Sequence, residues 1–314
     1  MPFHNRLAVA VISVAVLTAC TSTSSGNNDN RIVVSASLFP VAEIVTQVGG
    51  DAVQVVTLTP PGSDAHDVEL TARQAERLAE SDVVFHLGDD FQPGIQKAIE
   101  SLEGVTVVDL FGSVELLEAA LPDAEHADAD GHSHDPHVWL DPANMIAMTE
   151  QVVKTLSKVS TSLADTFAAN GDAYIAELTQ LGEFLDSTIG PQPGDKISRC
   201  ATTSLYTAHQ GFTYLAHRAG LDLVPIAGVN PDEQVSARYL EELAGELDGD
   251  NITIFYESLI PSGAAEVLAD ELQVTTDYLN PLEGLSQDDI DSGVTYVSAQ
   301  RDNIARIAAA LGCS

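Results

Sequence analysis

Short runs of β-branched and aliphatic residues alternate with stretches of helical spacing along this chain, and the alternation occurs twice. In the first half, residues 31–35, 53–58, 82–87 and 105–110 are apolar runs of strand length. Between them, residues 41–48, a segment N-capped by Thr71 and ending at Ala79, and residues 96–102 carry helical spacing. Strands interleaved with helices predict βαβ units and a mainly parallel sheet covered on both faces. The second half predicts strands at 200–206, 221–226, 251–256 and 273–279, and helices at 212–219, 236–247, 262–272 and 296–311. From Pro142 to Ile189 the helical spacing is interrupted only by Gly171 and Gly182, and Pro191-Gln192-Pro193-Gly194 ends it. A helix of that length, whole or broken once, reads as a rod joining two lobes. The expected fold is therefore α/β: an N-terminal lobe over 31–141, a linking helix over 142–190 and a C-terminal lobe over 195–314, with a ligand cleft between the lobes. In open α/β sheets that cleft lies outside the carboxyl ends of the strands.

The N-terminus adds a second expectation. Arg6 supplies a positive charge, and residues 7–17 form an apolar stretch shorter than the roughly twenty residues a membrane span needs. Leu17-Thr18-Ala19-Cys20 then resembles a bacterial lipobox, in which the cysteine is acylated and becomes the mature N-terminus. Residues 21–30 are all Ser, Thr, Gly, Asn and Asp, a composition that cannot bury a core. The reading is a signal peptide over 1–19 and a flexible tether over 20–30, with Cys20 as lipid anchor on the outer face of the cytoplasmic membrane. No long apolar segment follows, which argues against a permease or channel.

Charge narrows the partners. With 13 Lys and Arg against 47 Asp and Glu, the formal net charge is −34, which argues against nucleic-acid binding. Of the three cysteines, Cys20 belongs to the lipobox, leaving Cys200 and Cys313 as a pair in an exported, oxidising setting. A disulfide between them is the default, and closing so long a loop is worth about 4–5 kcal/mol in the chain-entropy model.

The candidate chemistry lies in four residues at the ends of apolar runs. They are His66 in Gly62-Ser63-Asp64-Ala65-His66-Asp67, His137 in His137-Val138-Trp139-Leu140-Asp141-Pro142, His209 in Thr207-Ala208-His209-Gln210-Gly211-Phe212, and Glu283 in Leu279-Asn280-Pro281-Leu282-Glu283-Gly284. Three imidazoles and a carboxylate are a natural tetrahedral set for Zn²⁺. More than seventy residues separate successive members, so only folding could unite them. Imidazoles must be neutral to bind, and an ordinary imidazole pKa of about 6.5 predicts that zinc affinity falls below about pH 6. Residues 123–136 form an acidic, low-complexity stretch in which His126, His132 and His134 could hold a second, weaker metal ion. His86 and His217 read as structural.

These motifs, together with Asp135-Pro136 ahead of His137 and the closing helix Tyr296…Asn303…Leu311, resemble the zinc/manganese class of substrate-binding lipoproteins of bacterial ABC uptake transporters. The resemblance runs from Arg31 to the end. It implies that His66, His137 and His209 are metal ligands, with Glu283 as the fourth and Asp277, on the preceding strand, in reserve. The manganese-preferring branch carries a glutamate where this chain has His209, and imidazole suits Zn²⁺ better than Mn²⁺. The implied function is non-catalytic: a monomer captures Zn²⁺ outside the cell and delivers it to an ABC permease. Two other classes compete. A zinc hydrolase or lyase needs an open coordination position, and no HExxH run is present. A haem- or siderophore-binding lipoprotein would share the two lobes without needing converging histidines.

Overall fold

The computed structural model describes Met1 and residues 31–89, 91–119, 134–192, 198–230, 237–246, 252–257 and 274–314. The expected signal and tether, Cys20, His126, His132 and the helix expected over 262–272 lie outside the described residues. Among those described, no helix is long and apolar enough to cross a membrane.

Two four-stranded parallel sheets form the framework. The first comprises β1 (Ile32–Ala36), β2 (Val53–Thr57), β3 (Val83–His86) and β4 (Thr106–Asp109), in the order β2-β1-β3-β4. The second comprises β5 (Ser204–Thr207), β6 (Asp222–Pro225), β7 (Thr253–Glu257) and β8 (Thr275–Leu279), in the equivalent order β6-β5-β7-β8. Connecting parallel neighbours requires crossovers. In the first lobe these contain α1 (Phe39–Gly49), α2 (Ala72–Ala79) and α3 (Pro93–Ile99). In the second they contain α6 (Thr213–Ala219) and α7 (Ala237–Glu246), and α8 (Gln287–Asp291) and α9 (Tyr296–Leu311) close the chain. Thr71 caps α2 in a reciprocal capping box with Gln74, as the sequence suggested. The short helix α8 was not anticipated; Ser286 and Asp289 form its capping box.

Period-two alternation assigns each sheet two apolar faces. In β3, Val83 and Phe85 enter the largest core while Val84 turns to a smaller one with Leu58, Val68, Leu78 and Ile95. In β7, Phe255 enters the large core and Ile254 turns to a cluster with Ile226 and Leu243. The large core is continuous between the lobes, reaching from Val34 through Met145, Leu178 and Leu185 to Leu279 and Ile307.

The linking segment is broken once. It forms two helices, α4 (Pro142–Val159) and α5 (Ala164–Thr188), which pack side by side. The break falls at Ser160, not at a glycine, where Val159-Ser160-Thr161-Ser162 combines β-branched residues with hydroxyls that compete for backbone hydrogen bonds. Gly171 and Gly182 lie inside α5, where they permit close packing. A Cβ at Gly171 would stand 2.4 Å from Val153 Cγ2, and one at Gly182 would stand 2.9 Å from an Arg218 nitrogen. Helix α5 touches α1 of the first lobe and α9 of the second, so it joins the lobes along its length. The disulfide between Cys200 and Cys313 is present and fastens the chain ahead of β5 to the end of α9.

Candidate metal centre

The loops at the carboxyl ends of the strands supply three of the four candidate ligands. His66 lies beyond β2, His209 two residues after β5, and Glu283 four residues after β8. His137 comes from the segment crossing between the lobes, immediately before a 3₁₀ turn over Val138–Leu140. All four are buried. Their potential ligand atoms lie within 4.8 Å of one another. Glu283 Oε1 stands 3.2 Å from His137 Nε2, 3.4 Å from His209 Nε2 and 3.8 Å from His66 Nε2. The Nε2 atoms of His137 and His209 are 3.3 Å apart.

Two of the histidines are fixed from behind. His137 Nδ1 is 2.9 Å from Asp135 Oδ1, and the same oxygen accepts the His137 backbone N–H. His209 Nδ1 is 2.7 Å from the buried carboxylate of Glu257 at the end of β7. A carboxylate on Nδ1 directs the lone pair of Nε2 inward and makes it more basic, the arrangement common to metal-binding histidines. His66 differs. Its backbone N–H donates to Asp64 Oδ1 and its ring meets Phe91 edge-on at 4.8 Å, but neither buried ring nitrogen has a hydrogen-bonding protein partner. Gln92 steadies its loop by donating to the Ala65 carbonyl and to Thr59 Oγ1.

The Glu283 loop is held by a ladder of amides. Asn303 of α9 accepts the Asn280 N–H and donates to the Asn280 carbonyl, and Asn280 Oδ1 accepts the Leu282 N–H. This supports Leu282 at φ +62°, a left-handed conformation that costs a buried leucine about 1–3 kcal/mol. Trp139 Nε1–H donates to the Pro281 carbonyl, tying this loop to the His137 segment.

Charge in the site is set by these pairings. Burial opposes charge on His209, but Glu257, with Glu283 at its other nitrogen, outweighs burial and pushes the pKa up to about 10. In His137 burial is likewise overcome, mainly by Asp135, and the pKa is raised. Burial would raise the pKa of Glu283, yet the three histidines facing it hold it well below the ordinary carboxylate range. A buried anion thus faces imidazoles whose protons a cation could replace. The buried, unpartnered nitrogens of His66 and Oε1 of Glu283 fit a small cation that accepts both nitrogen and oxygen donors.

The other candidates fall elsewhere. Asp277, the reserve ligand, accepts from Arg306 Nη1 at 2.7 Å and takes no part in the cluster. His134 pairs with Asp89 Oδ2 at 2.9 Å in a half-exposed position. His86 is buried beside the Leu87 carbonyl, and His217 is exposed on α6. Sequence reasoning missed the roles of Asp135, Glu257 and Asn280. Two of them left a usable signal: Asp135 stands two residues before His137, and Glu257 closes the apolar strand Thr253-Ile254-Phe255-Tyr256.

The family model described as ZnuA, the periplasmic component A of a zinc-uptake complex, matches residues 34–310. The chain belongs to this family. Among curated relatives, it is 29% identical over 307 residues to the zinc-binding lipoprotein AdcA of Streptococcus pneumoniae, covering 95% of this chain and 59% of AdcA. The chain thus spans less than two-thirds of that relative's length. It is 27% identical over 291 residues to the high-affinity zinc uptake system protein ZnuA of Bacillus subtilis, covering 90% of this chain and 89% of that one. Among solved structures, the Zn(II)-bound ZnuA-like domain of S. pneumoniae AdcA superposes with a TM-score of 0.73 at 28% identity, covering 90% of this chain and 99% of the domain.

Proposed function

We propose that this protein captures Zn²⁺ outside the cell and presents it to an ABC-type permease for uptake. The observation that carries the reading is the convergence of His66, His137, His209 and Glu283 in one buried cluster. The names of the streptococcal and Bacillus relatives support zinc as the cargo. His66, His137, His209 and Glu283 are the ligands, and His209 supplies a nitrogen that favours Zn²⁺ over Mn²⁺. The role is non-catalytic: Glu283 takes the coordination position where a zinc hydrolase would hold its water.

The protein works as a lipid-anchored monomer on the outer face of the cytoplasmic membrane, with Cys20 as the anchor and residues 20–30 as the tether. The lipobox-like Leu17-Thr18-Ala19-Cys20 supports the anchor, and one relative is named a lipoprotein. His126, His132 and His134 serve at most as a weaker outer metal site. A chelator competition on metal-stripped protein tests the central reading. It is expected to show one tight zinc per chain, lost in His137→Ala; equal tightness in that variant rejects the ligand set. Separately, Cys20→Ala is expected to release the protein from salt-washed membranes with zinc binding intact, and continued membrane retention rejects the anchor.

A further inference from the structure

The segment that carries His209 also holds the carboxylate behind His137. Tyr214, on α6 five residues after His209, is buried, and its hydroxyl donates to the Asp135 carbonyl at 3.0 Å. The Tyr214 hydroxyl oxygen in turn accepts the Leu117 N–H at 2.9 Å. Leu117 and Asp135 are themselves joined, since the Asp135 N–H donates to the Leu117 carbonyl at 2.9 Å. Gln210, next to His209, adds a contact from its side-chain amide to Asp135 Oδ2 at 3.4 Å. Asp135 is thus held by its backbone through Tyr214 and Leu117, and by its carboxylate through His137 and Gln210. Two of those four partners belong to residues 209–214 of the second lobe.

We propose that the Tyr214 hydroxyl is a positioning group for the metal centre. It fixes Asp135, and through Asp135 the ring of His137, to the segment bearing His209. The two Nε2 atoms, 3.3 Å apart, then keep one separation although their residues come from different parts of the chain. A zinc ion needs both nitrogens at about 2.0–2.1 Å, so freedom in Asp135 becomes lost affinity. The inference rests on the reading of these histidines as zinc ligands.

Tyr214→Phe removes one oxygen and keeps the ring. Chelator competition on the full chain is expected to show zinc affinity lowered about tenfold or more, the range seen when an outer partner of a metal ligand is removed. Asp135→Ala is expected to lower it at least as far. The decisive comparison is the double variant, expected to bind no more weakly than Asp135→Ala alone, because the hydroxyl acts through that residue. In zinc-loaded protein with ¹⁵N-labelled histidine, Tyr214→Phe is expected to move the ring resonances of His137 and leave those of His66 in place. Should Tyr214→Phe fold poorly, Gln210→Ala reads the same coupling and is expected to lower affinity in the same direction. Parent-like affinity in Tyr214→Phe while the parent binds zinc tightly overturns this inference alone. So do losses that multiply in the double variant, since a merely structural hydroxyl acts independently of Asp135. A parent that binds no zinc overturns the underlying reading as well.

Discussion

The metal centre has a braced side and an unbraced side. His137 and His209 each carry a carboxylate on Nδ1, whereas His66 rests its ring on Phe91 with neither nitrogen partnered. The loop of His66 is joined to the Glu283 loop by a hydrogen bond from the Gly62 N–H to the Leu285 carbonyl. The difference teaches that preorganisation here is unevenly distributed. Two imidazoles are aimed and made basic by carboxylates behind them, and the third faces the same cluster from a loop held by packing.

If this contrast is right, removing a braced ligand costs more than removing the unbraced one. His209→Ala strands the buried Glu257 carboxylate as well as deleting a nitrogen, and should lower zinc affinity well beyond a hundredfold. His66→Ala deletes a nitrogen without stranding a charge, so its loss should be smaller in the same chelator competition. Equal losses would break the contrast.

Next in size is the bracing itself. Glu257→Gln keeps the shape but removes the charge behind His209, and a tenfold to hundredfold loss of zinc affinity is expected. Phe91→Leu, which alters only the packing behind His66, should cost less than that by isothermal titration. A larger loss in Phe91→Leu than in Glu257→Gln would reverse the assignment of the two sides.

The pH dependence sharpens the contrast further. An ordinary imidazole would confine proton competition to acid solution, below about pH 6. The carboxylate behind His209 raises its pKa to about 10, so without metal it retains a proton at neutral pH. Zinc must displace that proton, so apparent affinity should rise with pH from about 6.5 towards 10. The stability of the metal-free protein has the opposite sign. The contribution of a group whose folded pKa is raised is full below its unfolded value of about 6.5 and is lost as pH rises towards about 10. Calorimetry in buffers of different ionisation enthalpy should detect proton release at pH 7.5, reduced in Glu257→Gln. No release in the parent would contradict the proton-holding role of the braced pair.

Much of the fold was legible because each lobe spells it locally. The strand runs of both halves and the limits of α9 at Tyr296 and Leu311 follow from patterning and capping alone. The linking region was legible as a helix whole or broken once, but not the place of its break: Gly171 and Gly182 pack inside α5, whereas α4 ends at Ser160 beside further hydroxyl residues. The four clustered residues were legible because each closes an apolar run and sits in a motif. Their bracing was less so: Glu257 reaches His209 only after residues 48 positions apart are brought together, whereas Asp135 lies two residues before His137 and only the folded turn shows that its carboxylate meets the ring. Glu283 was placed ahead of Asp277 on the motif alone; the pairing of Asp277 with Arg306 of α9, outside the cluster, becomes visible only in the fold.

The coordination sphere can be read from X-ray absorption at the zinc edge on full-length protein loaded with one equivalent of zinc. The expected spectrum has three imidazoles and carboxylate oxygen at about 2.0–2.2 Å, and loses one imidazole in His66→Ala. A sphere dominated by oxygen with at most one imidazole, or a spectrum unchanged in His66→Ala, His137→Ala and His209→Ala, would mean that zinc binds elsewhere.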